Sequence, residues 1–120
     1  MLDEAERYLA LGRKYLEDGE RLLAEADLSQ ASEKFWGAAA EIVKAVASSR
    51  GWAHDSHRQL FRIISLLAQE GQDGEIRTLF GLAHNLHVNF YDDYLPPDQV
   101  QDGAAAVREL IQRLNPMLSR

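Results

Sequence analysis

The chain has 120 residues, of which 46% are hydrophobic and 27% are charged, a composition that fits a globular protein and excludes a disordered segment. It contains no cysteine, which excludes a disulfide framework, a thiolate metal site and a cysteine nucleophile. The formal net charge of −6 argues against binding of nucleic acid through an extended positively charged surface.

We expect one domain over residues 1–120, since a chain of this size can bury a hydrophobic core without disulfides or structural metal ions. The N-terminal segment is charged throughout, so no signal peptide is predicted. No apolar run approaches the ~18 residues that a membrane span needs. We therefore predict a cytoplasmic protein.

Apolar residues three and four apart predict helices nearly end to end, and no segment alternates as a strand would. The first predicted helix runs from about Asp3 to Ala26. Asp27 can cap a second helix, from Leu28 to about Ser49, through the backbone of Gln30. Gly51 stands where a helix end favours glycine.

The second half of the chain carries equally clear start and stop signals. Ser56 and Gln59 have capping-box spacing and predict the start of a third helix. A polar turn at residues 70–75 precedes a fourth helix, from about Gly74 to Asp93. Pro97 can be the first residue of a fifth helix because its missing N–H is not needed there.

Short connections between long helices favour antiparallel neighbours, so we predict an all-α fold, an up-down helical bundle of four to five helices. The fifth helix has an apolar seam in heptad spacing, formed by Val100, Ala104, Val107, Ile111, Leu114 and Leu118. This seam could also serve a dimer, and we expect a homodimer.

Polar residues are predicted to meet near one end of the bundle. Counting ~1.5 Å of helix rise per residue from shared turns places His87 level with His57 and with about Glu41. The layer predicted in this way contains Glu41, Lys44, His57, His84 and His87, with His54 in the adjoining loop.

His84 and His87 lie three residues apart on the fourth helix, a spacing that can chelate a metal. The zinc-protease pattern His-Glu-x-x-His and the paired Glu-x-x-His of di-iron sites are both absent, so we predict no metal and no cofactor. His87 shares the apolar stripe and is either a hydrogen-bonded core histidine or a ligand residue. His84 shares a stripe with Arg77, and Gly81 between them should open a groove.

Two stretches, ADLSQASEKFWGAAAEIVKA at residues 26–45 and LHVNFYDDYL at 86–95, together with the loop GWAHDSH at 51–57, go beyond generic helix. They resemble the PaREP family, small helical proteins best known from archaea, and the resemblance extends from the first helix to Tyr94. That family is similar to the HEPN superfamily, whose fold is an up-down helical bundle that is often dimeric.

The resemblance also implies a possible activity. HEPN ribonucleases carry an arginine, usually followed by a polar residue, and a histidine a few residues beyond it. Arg77, Thr78 and His84 match this pattern here, with six residues between the arginine and the histidine. In that alternative, a metal-independent ribonuclease, His84 acts as acid or base and Arg77 stabilises the phosphate charge.

Our main functional expectation is an HEPN-like binding module for a partner protein or for a small anionic ligand such as a nucleotide. Membership of a toxin–antitoxin pair, with a nucleotidyltransferase as the partner protein, is what the resemblance implies. A purely structural interaction domain is a further alternative. The expected ligand-binding residues are Gln30, Glu33, Lys34, Trp36, His57, His87, Asn89 and Tyr91. Along the bundle axis, Gln30 is predicted to lie about a dozen residues, or ~18 Å, from the level of His87. The expected residues therefore form either one pocket or two separate sites.

Overall fold

The structure is a computed structural model that describes residues 1–119. It contains helices α1 (Glu4–Ala24), α2 (Leu28–Ser49), α3 (His57–Gly71), α4 (Glu75–Asp92) and α5 (Pro97–Leu114), followed by a short 3-10 helix (Asn115–Ser119). Residues 1–119 form no strand, and the predicted all-α bundle is confirmed. Across the same residues, no helix is long and apolar enough to cross a membrane.

The helix starts follow the capping signals in the sequence. The Asp27 carboxylate accepts a hydrogen bond from the Gln30 backbone N–H at 3.3 Å, and the Ser56 hydroxyl accepts one from the Gln59 backbone N–H at 3.2 Å. Pro97 is the first residue of α5. The two hydrogen bonds satisfy backbone N–H groups that a helix start leaves unpaired, and the proline removes one such group. All three helix starts were predicted from these residues.

Helix α2 is the centre of the bundle and contacts α1, α3, α4 and α5. Two glycines let α1 approach it closely. A Cβ on Gly12 would lie 2.9 Å from Ile42 Cδ1, and a Cβ on Gly19 would lie 3.1 Å from Phe35 Cδ2. The buried glycines of α1 therefore permit a close helix crossing.

The heptad seam of α5 packs inside the chain, against the rest of the bundle. Four of its six residues are fully buried, namely Val100, Ala104, Val107 and Leu114. The expectation that this seam also serves a dimer is wrong, because those side chains are already used within one molecule. A second copy of the chain would have to pair through another surface.

The connection between α2 and α3 is a crossover and not a hairpin. At the end of α3, Glu70 accepts a hydrogen bond from Arg50 at 2.8 Å, just beyond the end of α2. At the start of α3, the His57 ring lies 5.4 Å from the Trp36 ring in the middle of α2. Residues 51–56 thus run back along α2, and α3 is parallel to it. Since α4 returns antiparallel to α3, the end of α4 meets the start of α2.

Candidate functional site: a tryptophan ringed by histidines

Trp36, in the middle of α2, is the centre of the candidate site. It is only 5% exposed. The ring centroids of His57, His84 and His87 lie 5.4, 5.3 and 5.4 Å from its own. The crossover supplies His57 from the start of α3, and the antiparallel course of α4 supplies the other two. We call these four residues the Trp–His cluster.

The three imidazoles of the cluster also contact one another. Their ring centroids are 5.1 Å apart for His57 and His87, 5.6 Å for His57 and His84, and 5.9 Å for His84 and His87. Within residues 1–119, no group of histidine or carboxylate side chains is arranged to hold a metal ion. The rings therefore pack as an aromatic group that can also carry positive charge.

A carboxylate orients one member of the cluster. His87 Nδ1 lies 2.9 Å from Glu33 Oε1, and both side chains are partly exposed. An ionised carboxylate only accepts hydrogen bonds, so Nδ1 carries the proton and donates it. This leaves His87 Nε2 for a ligand. The hydrogen bond fits the core histidine that the sequence offers as one alternative, but the ring is not fully buried.

His84 is held in its neutral form. Burial lowers its pKa from the ordinary value of 6.5, and the charges of His57 and His87 lower it further. At neutral pH the unprotonated form of His84 is therefore favoured. An anion placed among the rings would reverse this effect, because its charge stabilises every imidazolium near it.

Exposed aromatic side chains form the rim of the site. Tyr91 is 70% exposed and its ring meets the edge of the His87 ring at 5.3 Å. Phe61 is 38% exposed and meets His84 at the same distance. A Cβ on Gly81 would touch nothing within 4 Å, which confirms the predicted open space beside His84. Sequence reasoning missed Phe61, although it follows His57 by one helical turn.

The predicted layer of Glu41, Lys44 and the histidines is right only in part: Glu41, Lys44, His54 and His57 line one cavity, but His84 and His87 are not among its lining residues. Glu41 pairs with Lys44 at 3.2 Å, while the residue that meets His87 is Glu33, two turns earlier on α2. The height estimate assumed that α2 and α4 start at the same end of the bundle. They are antiparallel, so the start of α2, not its middle, is level with the end of α4.

The other predicted ligand-binding residues lie around the cluster, in several separate places. Asn89 is buried and donates a hydrogen bond to the Ser32 hydroxyl at 3.0 Å. Lys34 lies 4.8 Å from the centroid of the Tyr15 ring, beside a cavity of about 210 Å³ that also borders Glu33 and Trp36. Gln30 is exposed next to the Asp27 cap. Gln30 thus lies at the start of α2 beside Asp27, while Glu33 contacts His87 of the cluster.

The Arg77 and His84 side chains are not brought together. Arg77 is exposed, and its Nη2 lies 3.3 Å from the position that a Cβ on Gly74 would occupy, at the start of α4. His84 lies seven residues farther along the helix, ~10 Å away, with its ring in the cluster. The ribonuclease pair stays a prediction from the sequence pattern.

The model of the archaeal PaREP1/PaREP8 family matches residues 2–111. The chain belongs to this family. This PaREP1/PaREP8 chain is also similar to a protein from Sulfolobus solfataricus whose crystal structure is 26% identical in sequence, with a TM-score of 0.79 over 92% of this chain and 98% of that one. No curated protein matches this chain. The family match includes the whole Trp–His cluster.

Proposed function

We propose that this PaREP1/PaREP8 chain is an HEPN-like binding module that takes a small anionic ligand, such as a nucleotide, at the Trp–His cluster. One observation carries the proposal: a buried tryptophan in contact with three imidazoles, one of them oriented by a carboxylate. The five-helix bundle with its antiparallel α1–α2 and α3–α4 pairs supports the HEPN-like placement.

The cluster suits both halves of a nucleotide. Imidazole N–H groups bind phosphate oxygens, and bound phosphate would compensate the mutual repulsion of protonated His57, His84 and His87. The rings of Phe61 and Tyr91 at the rim offer aromatic faces and edges to a base. The chain's net charge of −6 disfavours long nucleic acid, whereas a small ligand meets only the charges that line its own site.

Cyclic AMP is a suitable probe because its phosphodiester keeps a single negative charge between about pH 7.5 and pH 5.5. In a Trp52→Phe background, Trp36 is the remaining tryptophan and its fluorescence should change on binding. We expect the affinity to rise as pH falls below about 6.5, because burial and the neighbouring histidines lower the pKa of His84 from its ordinary value and a proton bound there favours the anion. His87→Gln should weaken binding about ten-fold or more, whereas Arg13→Gln, which removes a charge from exposed α1, should not.

Two outcomes would count against this assignment: an affinity for cyclic AMP that is flat with pH, or one that is unchanged in His87→Gln. Cleavage of RNA in metal-free buffer tests the alternative activity with the same protein. Cleavage that His84→Ala abolishes, with folding intact, would favour the ribonuclease that Arg77 and His84 predict. Cleavage that persists in the variant would remove His84 from any such mechanism.

We also propose that the chain forms a homodimer through the outer face of α3 and α4 around Phe61 and Tyr91. Both aromatic side chains are exposed there, whereas the α5 seam is buried. Analytical ultracentrifugation should give the mass of two chains, and Phe61→Lys should give one. Leu11→Lys places the same charge on an equally exposed residue of α1 and should leave the dimer intact. A monomeric wild-type protein would contradict the proposal.

The toxin–antitoxin role stays a prediction from the HEPN-like resemblance, as does the nucleotidyltransferase partner. A partner protein bound on the same face of α3 and α4 would compete with the homodimer for Phe61. The two predictions are therefore linked through one surface.

A further inference from the structure

A cavity outside the Trp–His cluster lies between the crossover and α3. Its volume is about 300 Å³, the lower end of the range of known small-molecule pockets. Residues 51–53 of the crossover line it together with four residues of α3, namely Gln59, Arg62, Ile63 and Leu66. We call it the Arg62 cavity. It shares no residue with the cluster or its rim, and none of the described residues that line it is acidic.

Arg62 gives the Arg62 cavity a positive charge without a counter-ion. Its side chain is exposed, and no carboxylate within residues 1–119 pairs with it. The nearby Arg50, by contrast, is paired, since its guanidinium donates to Glu70 at 2.8 Å. A guanidinium stays protonated in proteins, so the charge at Arg62 does not depend on the protonation state of any other group. The cavity therefore contains one accessible cation that the described part of the chain leaves unneutralised.

Gln59 adds a second hydrogen-bond donor to the same lining. Its Oε1 accepts a hydrogen bond from the Asp55 backbone N–H at 2.6 Å, and only the amide oxygen can accept there. The Nε2 amino group is therefore left over, and within residues 1–119 it has no acceptor. The indole of Trp52, the third polar side chain of the lining, is also a donor only. The free polar side-chain groups of the cavity thus call for a ligand that accepts hydrogen bonds and carries negative charge.

The other walls of the Arg62 cavity are apolar, and one of them is held in place. Ile63 is buried, and Leu66 is 38% exposed. The Trp52 backbone N–H donates to the Ala47 carbonyl at 2.9 Å, and the paired Arg50 guanidinium lies 5.3 Å from the centroid of the Trp52 ring. Because these contacts already fix the aromatic wall, an apolar group can lie against it without first ordering the loop.

We propose that the Arg62 cavity binds a small organic monocarboxylate with an apolar body, a short aryl or alkyl acid. The carboxylate accepts two parallel N–H bonds from the Arg62 guanidinium and one from Gln59 Nε2, and the apolar body lies against Trp52 and Leu66. A monocarboxylate matches the single unpaired cation, whereas a phosphate dianion would keep one charge uncompensated. This inference does not rest on the anion site at the Trp–His cluster, because the two sites share no residue.

An NMR titration of isotope-labelled protein with 3-phenylpropionate tests the proposal, because the chain's two tryptophans, Trp36 and Trp52, report on different sites. The Trp52→Phe variant assigns the two indole N–H signals. We expect 3-phenylpropionate to shift the Trp52 signal and to bind there about ten-fold or more tightly than 3-phenylpropanamide, which has a similar shape but no charge. Acetate keeps the charge but lacks the apolar body, and it should also bind about ten-fold or more weakly.

Arg62→Gln should weaken 3-phenylpropionate about ten-fold or more, since it removes the charge and the paired donors. Arg58→Gln is the matched control. Arg58 lies one turn earlier on α3, is equally exposed and does not line the cavity, so its replacement should change binding about three-fold or less.

The proposal is overturned if 3-phenylpropionate leaves the Trp52 signal unmoved, or if it binds there no more tightly than the amide or acetate. It is also overturned if Arg58→Gln weakens binding as much as Arg62→Gln does. A shift of the Trp36 signal alone would place the acid at the Trp–His cluster and would count against the Arg62 cavity while supporting the anion site.

Discussion

Asn89→Ala is expected to lower the free energy of unfolding by about 3 kcal/mol, because three hydrogen bonds of one buried side chain are lost together. Asn89 is 1% exposed. Its Oδ1 accepts from the backbone N–H groups of Tyr94 and Leu95, at 2.8 Å each, and its Nδ2 donates to the Ser32 hydroxyl. Alanine would leave the two N–H groups that follow α4 without this acceptor.

Urea denaturation measures this effect, and Asn85→Ala is the matched control. Asn85 lies one turn earlier on the same helix and is exposed, so its replacement should change stability by less than about 0.5 kcal/mol. The comparison also separates two roles for Asn89. A folded Asn89→Ala protein of unchanged stability that no longer binds cyclic AMP would contradict the structural role and support the predicted ligand-binding one.

The helices themselves were predictable because their signals are local. Asp27 and Ser56 hydrogen-bond to the backbone three residues on, and Pro97 suits a first helical position whatever lies around it. Such contacts involve residues that are close together in the sequence, so they can be predicted from a short sequence window.

The course of residues 51–56 was not predictable in this way. A short connection fits a hairpin, yet six residues in extended conformation span about 20 Å and can carry the chain back along α2. Trp52 donates to the Ala47 carbonyl at 2.9 Å, and His54 Nε2 lies 3.1 Å from the Tyr8 hydroxyl. The first contact is local, at the end of α2, but the second joins the loop to α1, and no residue spacing within the loop predicts it.

That one connection decides which residues form the candidate site. With α3 parallel to α2, His57 reaches Trp36, and α4 then brings His87 to Glu33. A hairpin would instead have placed the histidines near Glu41, as the height estimate did. Six of the eight predicted ligand-binding residues lie within the cluster, its rim or the adjoining cavity, and their binding of a ligand stays a prediction.

Trp36→Ala is expected to lower the free energy of unfolding by about 4 kcal/mol, the usual range for removing a large aromatic side chain from a core. The Trp36 ring contacts Phe80 at 5.4 Å between centroids, in addition to the three histidines. Trp52→Ala should cost less, about 1–2 kcal/mol, because Trp52 is only partly buried, with the Arg50 guanidinium 5.3 Å from its ring centroid. Urea denaturation of both variants checks the order.

Trp36→Phe separates the contribution of this residue to the core from its contribution to binding. Phenylalanine keeps most of the apolar volume, so we expect a loss of about 1–2 kcal/mol and an intact fold. The smaller ring withdraws from the imidazoles, and affinity for cyclic AMP should fall with it. Equal stability of Trp36→Ala and the wild type would contradict the packing of the Trp–His cluster. A stable Trp36→Phe protein with full affinity would show that the histidines bind the ligand without the tryptophan.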